Sequence, residues 1–350
     1  MALSRISLAA LGLAAAFACV TPGVCTPPNT AFSRVMPGPQ PGQQWNIAGG
    51  FCGAFSLQHA TLAFGAWVSQ DLVRKANRDQ PGPHNQHGDR TVGFEVMPNN
   101  VAYTANALRL AFDEWDYNLP SPQAPAYKRW LKKHLSQGHP LVWFPICKGD
   151  SHECYPDSCP NGGHCDHVEP MWGLFSNHSL DDPNVYDDDF ILHASDQDLA
   201  PYYRPLNSLD DDLQMEGNCK AAGAGFGKNE MYPCFSSAVT YGLAVKGLNI
   251  TGDVFPASLS TPGAVSEPDV RTGSPPSMLK GIVTVTGLAA GKKGILYRYG
   301  STAALPTGPN NFDVGYEGKT PFTAAGESWV FADPKPFASN SATYYVAVAA

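Results

Sequence analysis

Apolar residues recur at helical spacing from Phe55 through Leu57, Ala60, Leu62, Phe64, Trp67, Val68, Leu72 and Val73, with no proline before Pro81. The pattern predicts one long helix running from Cys52 to about residue 77. A second helical pattern covers residues 99–110, with Val101, Ala102, Ala105 and Leu108 on one side. A third covers residues 124–136, with Tyr127, Trp130, Leu131 and Leu135, and Gly138 is placed to cap it. The texture then changes. Residues 141–146 form a short continuous apolar run that reads as a central strand, and further strands are predicted at 167–175, 190–194 and 241–245. Helices first and strands afterwards predict an α+β domain. Past a Pro/Ser/Gly-rich stretch, short β-branched and aromatic runs at 281–288, 294–299, 328–331 and 342–348 predict a small all-β, sandwich-like module.

The N-terminus reads differently. Arg5 supplies a positive start, residues 6–18 are apolar, and Ala16-Phe17-Ala18 is a usable cleavage site. The expected organisation is a signal peptide over 1–18, an extended Pro/Gly-rich arm over 19–43 and a folded domain over 44–258. A linker over 259–276 and the β-sandwich-like domain over 277–350 complete it. No stretch is apolar for long enough to predict a membrane span. The net charge of −8 argues against a nucleic-acid partner. A secreted location is expected, and the sequons at Asn177 and Asn249 fit a glycoprotein on that route.

Secretion changes how the nine cysteines read. Cys19 and Cys25 lie in or just after the signal. Six others, Cys147, Cys154, Cys159, Cys165, Cys219 and Cys234, make an even set for disulfides, which leaves Cys52 as the odd thiol. Cys219 and Cys234 flank a Gly-rich loop and are expected to pair with each other. The other four are expected to pair among themselves. Their gaps exceed the close C-x-x-C spacing of zinc sites, so no metal is expected there. The aspartates of 181–189 lack the alternation of a calcium loop and read as a solvated acidic turn.

Cys52 follows Gly49 and Gly50, precedes Gly53 and opens the first helical pattern. A thiol at a helix N-terminus feels the positive end of the helix dipole, which favours the nucleophilic thiolate. Flanking glycines permit the close backbone approach that an oxyanion site needs. A cysteine nucleophile also needs a base and a group that orients the base. Among ten histidines, His167 opens a strand directly after the Cys-rich loop, and His193 on the next strand is its competitor. Asp196, at the end of that next strand, is the expected orienting acid. Asp166 and Glu169 are close to His167 in sequence, but adjacent strand residues point to opposite faces, which places Asp166 poorly. Gln43, Gln44 and Asn46 are available as amide donors to an oxyanion.

This order resembles the C39-like peptidases of the papain-like superfamily. The likeness rests on Gln44, Cys52-Gly53, the run Leu135-Ser136-Gln137-Gly138-His139-Pro140 before an apolar strand, His167-Val168, and the strand ending in Ser195-Asp196. It covers about residues 43–196. Asn46 stands at the usual six-residue spacing before the cysteine and Gln44 two residues further back, so either can complete the oxyanion site. The resemblance implies a papain-like peptidase fold for 44–258. It implies a catalytic set of Cys52 as nucleophile, His167 as base, Asp196 as its orienting acid and Gln44 at the oxyanion. The expected activity is hydrolysis of peptide or other amide bonds through an acyl-enzyme, with no cofactor. An acyl or peptidyl transferase using the same intermediate, and a non-catalytic secreted binding protein, are the alternatives.

Overall fold

Seven strands pair antiparallel into the largest sheet. They are β1 (Phe32–Val35), β3 (Leu110–Glu114), β4 (Leu141–Trp143), β7 (Glu169–Ser176), β8 (Phe190–His193), β9 (Tyr202–Pro205) and β10 (Gly242–Leu248). Their order is β3-β10-β4-β7-β8-β9, and β1 pairs with the second half of β7. The computed structural model describes residues 26–37, 44–45, 50–78, 95–98, 100–148, 164–194, 201–209, 240–261, 277–309 and 311–350. The expected signal peptide, most of the arm and residues 262–276 of the expected linker lie outside them.

A second sheet joins β11 (Val254–Phe255), β19 (Ala342–Ala349), β15 (Lys293–Tyr299) and β16 (Gly318–Thr323), with β2 (Ala66–Val68) added on β19. Smaller sheets are β12 (Ala257–Ser260) with β14 (Ile282–Thr286) and β17 (Ser328–Ala332), β13 (Met278–Leu279) with β18 (Phe337–Ala338), and β5 (Ile146–Lys148) with β6 (His164–Asp166). Strand accounts for about 35% of the described residues and helix for about 20%. The expectation of an α+β, papain-like domain is therefore corrected: the architecture is mostly β, in several antiparallel sheets, with four helices among the described residues.

The physical reason lies partly in the first helical pattern. Helix α1 (Cys52–Leu62) stops where Gly65 adopts a left-handed φ of +76°. Ala66, Trp67 and Val68 then leave the helix and pair with Tyr344, Thr343 and Ala342 of β19. Helix α2 (Gln70–Arg78) starts afresh, with the Ser69 hydroxyl accepting from Leu72 N–H at 3.2 Å as its N-cap. The expected single helix is thus two helices around a strand. The apolar residues at Ala66–Val68 satisfy a helical template and an extended one equally, and tertiary pairing decides. Similarly, the pattern at 99–110 yields only α3 (Val101–Ala107); Arg109 sits at φ 59° and Leu110 begins β3. Helix α4 (Ala124–Ser136) has the predicted bounds.

Every residue of α1 is buried, which fits a helix with apolar residues on all sides. It packs on β7 and β4 as well as on α2 and β2. The two halves of the chain share one hydrophobic cluster, from Met36 and Leu57 to Tyr344 and Val348. The Trp67 indole N–H donates to Ser339 O at 3.0 Å, and Tyr345 N–H donates to Gly65 O at 2.9 Å. The C-terminal strand is therefore built onto the segment between α1 and α2.

On the β5–β6 ladder Cys147 stands directly opposite Cys165. His167 N–H donates to Pro145 O at 3.1 Å, so the alternation of the ladder makes 147/165 a hydrogen-bonded pair.

Candidate active site

Cys52 is the first residue of α1, with its thiol reduced and 5% exposed. Phe51 occupies the N-cap position and contributes no side-chain hydrogen bond. The chain approaching Cys52 is clamped by Arg74 of α2. Its Nη1 donates to Gly50 O at 2.9 Å, and its guanidinium lies 4.3 Å from the centre of the Phe51 ring. Two glycines are explained here. At Gly50, with φ +65°, a Cβ would stand 2.0 Å from Glu95 Oε1; at Gly53 it would stand 2.1 Å from Val96 O. The glycine spaces expected to admit a ligand thus hold the segment around Glu95 instead. That segment is fixed in turn, since Glu95 O accepts from Asn77 Nδ2 at 2.7 Å and from Asn100 Nδ2 at 3.0 Å. A buried guanidinium and a buried carboxylate consequently flank the entry to α1.

One turn along the helix, the Ser56 hydroxyl donates to Val168 O at 3.2 Å. Residues four apart lie on one helix face. The face of α1 that carries Cys52 therefore meets the segment His167–Val168, which leads into β7. His167 is 6% exposed. Its Nε2 lies 3.6 Å from Glu169 Oε1.

Glu169 is the centre of a buried polar cluster. It is fully buried, yet His193 Nδ1 lies 3.1 Å from its Oε2 and the Tyr202 hydroxyl donates to the same oxygen at 2.5 Å. Strand register assembles this set. Trp143 of β4 is the partner of Glu169, Met171 is the partner of His193, and His193 is the partner of Tyr202. The Tyr202 ring stacks on His193 at 4.8 Å, Trp143 lies 5.6 Å from His193, and Arg204 lies over Trp143 at 5.1 Å. Burial by itself would raise the Glu169 pKa. The hydrogen bond from His193 and the charges of His193, His167 and Arg204 outweigh burial and hold it at about 2. Burial pushes His193 down from the usual histidine value, against the pull of Glu169.

The expected site residues therefore fare differently. Cys52 and His167 are brought onto facing elements. His193, the competing base, is completely buried between the Trp143 and Tyr202 rings. Gln44 is buried, and its neighbour is tied to α1 by a relay of amides. Trp45 N–H donates to Gln70 Oε1 at 3.0 Å, Gln70 Nε2 to Gln58 Oε1 at 3.1 Å, and Gln58 Nε2 to Val68 O at 3.1 Å. Asp196, Asn46, Gln43 and Gly49 lie outside the described residues, as do Cys154, Cys159, Cys219 and Cys234. The acidic turn is not wholly solvated: Asp189 is buried and pairs with Lys132 of α4 at 2.8 Å. The two sequon asparagines, Asn177 and Asn249, are exposed.

Glu169 and Arg74 are the polar residues whose importance the sequence reading missed. A signal for Glu169 was present, since a residue two places after His167 falls on the same side of an extended chain. Arg74 carried none beyond a charge inside an apolar helical pattern. Among the described residues no group of three metal-ligating side chains converges, and no helix is long and apolar enough to cross a membrane. No protein-family model matches the chain, and comparison with curated proteins and with solved structures returns no match.

A buried carboxylate that accepts hydrogen bonds and faces a guanidinium leaves those partners unsatisfied when it is removed. Glu169→Ala should therefore lower the unfolding free energy at pH 7 by about 3–5 kcal/mol, read from urea denaturation. The Glu169 pKa lies below its ordinary 4.5, so its contribution is complete above that pH and is lost as pH falls through about 2. The gap between wild type and variant should narrow over the same interval. A gap independent of pH would show that Glu169 acts by packing rather than by charge.

Proposed function

We propose that this chain is a secreted cysteine hydrolase that cleaves amide bonds in peptide-like substrates. The observation that carries the reading is the hydrogen bond from Ser56 to Val168 O, because it locks the helix face bearing Cys52 against the segment bearing His167. The dipole of α1 and the Arg74 guanidinium at its entry both favour a thiolate at Cys52; the Glu95 carboxylate beside Gly50 opposes them. The order of Gln44, Cys52-Gly53 and His167 resembles that of the C39-like peptidases. That likeness supports the chemistry, and only the chemistry is carried over.

In this reading the Cys52 thiolate attacks the amide carbonyl carbon. The carbonyl oxygen takes the negative charge and receives hydrogen bonds from Cys52 N–H and from an amide of the Gln44 segment. His167 donates a proton to the leaving amine, then accepts one from the water that hydrolyses the thioester. With Nε2 turned to Glu169, Nδ1 is the nitrogen that exchanges the proton. Glu169 is a positioning residue: it fixes the orientation of the imidazole ring. The C39-like resemblance assigns this role to Asp196, which lies outside the described residues; in this reading Glu169 holds the second ring nitrogen instead.

The test is the pH dependence of thiol alkylation. Iodoacetamide should label Cys52 in the native protein, with the half-maximal rate below the free-thiol value of about pH 8.5. His167→Ala should move that midpoint up, and Cys52→Ser should remove the label together with amidase activity. A profile that matches a free thiol and ignores His167→Ala would overturn the reading. With an added amine, water rather than the amine should appear in the product; capture by the amine would make the chain a transferase.

A further inference from the structure

A cavity of about 550 Å³ opens at the opposite end of α1 from Cys52. Its wall includes Ala63 and Phe64, just past the last turn of the helix, so an eleven-residue helix of roughly 16 Å separates it from the thiol. The cavity exists because the large sheet is interrupted. Strand β4 pairs with β10 only at Gly242–Ala244, and β1 is paired only with β7 among the described strands. The last residues of β10, Lys246 to Leu248, and the outer edge of β1 therefore line a gap that no strand fills.

The chemistry of the lining is one-sided. Phe64, Leu248, Val254 and Phe255 give an apolar wall, and Arg34 and Lys246 bring positive charge. None of the lining residues is Asp or Glu, although the chain as a whole carries a net charge of −8. Arg34 is held in place by its Nε, which donates to Ser136 O at 3.3 Å. His139 also lines the cavity, with its Nδ1 3.2 Å from that of His134. Burial and the nearby Lys246 both push its pKa down, so it adds a neutral polar group rather than a third cation. Asp113, the carboxylate that acts on this pair, stands 3.2 Å from His134 Nε2 and is not part of the wall.

We propose that this cavity is a binding site for a small amphipathic anion, a carboxylate on an apolar body. The apolar wall takes the body, and Arg34 with Lys246 takes the carboxylate. The volume is that of a small-molecule site. The proposal is independent of the chemistry at Cys52.

Calorimetry on the full chain tests it with octanoate and its neutral isostere octanamide as probes. Octanoate should bind saturably and at least about tenfold more tightly than octanamide, a difference of about 1.4 kcal/mol. The double variant Arg34→Gln/Lys246→Gln should lose that preference. Both residues are exposed, and unchanged octanamide binding in the variant reports that the cavity is intact. Cys52→Ser should bind octanoate as wild type does. Absence of saturable octanoate binding, equal affinity for the two probes, or octanoate binding unmoved by the double variant would overturn the proposal. So would loss of octanoate binding in Cys52→Ser, which would put the ligand at the thiol.

Discussion

A carboxylate taken out of water must be neutralised by its surroundings or give up its charge. Glu169 is fully buried and keeps its charge, because His193, His167, Tyr202 and Arg204 converge on it from three different strands or their approaches. The demand works in both directions. The carboxylate needs the cluster, and the cluster fixes the register of β7 with β4 and β8, and of β8 with β9. A slip of one residue would turn Glu169 or His193 to the other face of the sheet. The position of His167 relative to α1 follows from that register, so the proposed chemistry depends on an interaction that touches no substrate.

A second constraint ties the two ends of the chain together. Strand β2 lies between α1 and α2 and pairs with β19 near the C-terminus. Trp67 and Tyr345 add hydrogen bonds across the same junction, and Arg109 Nη2 donates to Pro306 O at 3.1 Å from the far side. The C-terminal strands therefore brace the helix that carries Cys52, and their aromatic core is continuous with its own. A disturbance in the C-terminal third has a direct route to the thiol through β2.

The sequence made some elements legible and hid others for identifiable reasons. Helix α4 was readable to the residue because its apolar stripe is clean and Gly138, at φ +82°, stops it. Strand β8 was readable because Phe190 to His193 is a short apolar run bounded by turns. The break after α1 was not, since Ala-Trp-Val satisfies both periods and only the distant β19 decides between them. Several strands of two to four residues, such as β11 and β13, carry too few positions for any period to show. The fold class went wrong through the sum of such errors: a helix read too long and strands left unread turned a mostly β chain into an α+β one. At the site, Cys52 and His167 stood out by residue type and context. Glu169 and Arg74 act by being buried, and burial of a charge is a property of the assembled sheets rather than of the local pattern.

The account turns on the ionisation of Glu169. Carbon-13 NMR of protein labelled at the glutamate side-chain carboxyl, with Glu169→Gln to assign the resonance by its loss, follows that group directly through an acid titration. The structure predicts a resonance that stays in its ionised position well below pH 4.5 and moves only near pH 2. A Glu169 resonance that titrates at or above the ordinary value would contradict the account, because the carboxylate would then be neither paired nor able to hold His167.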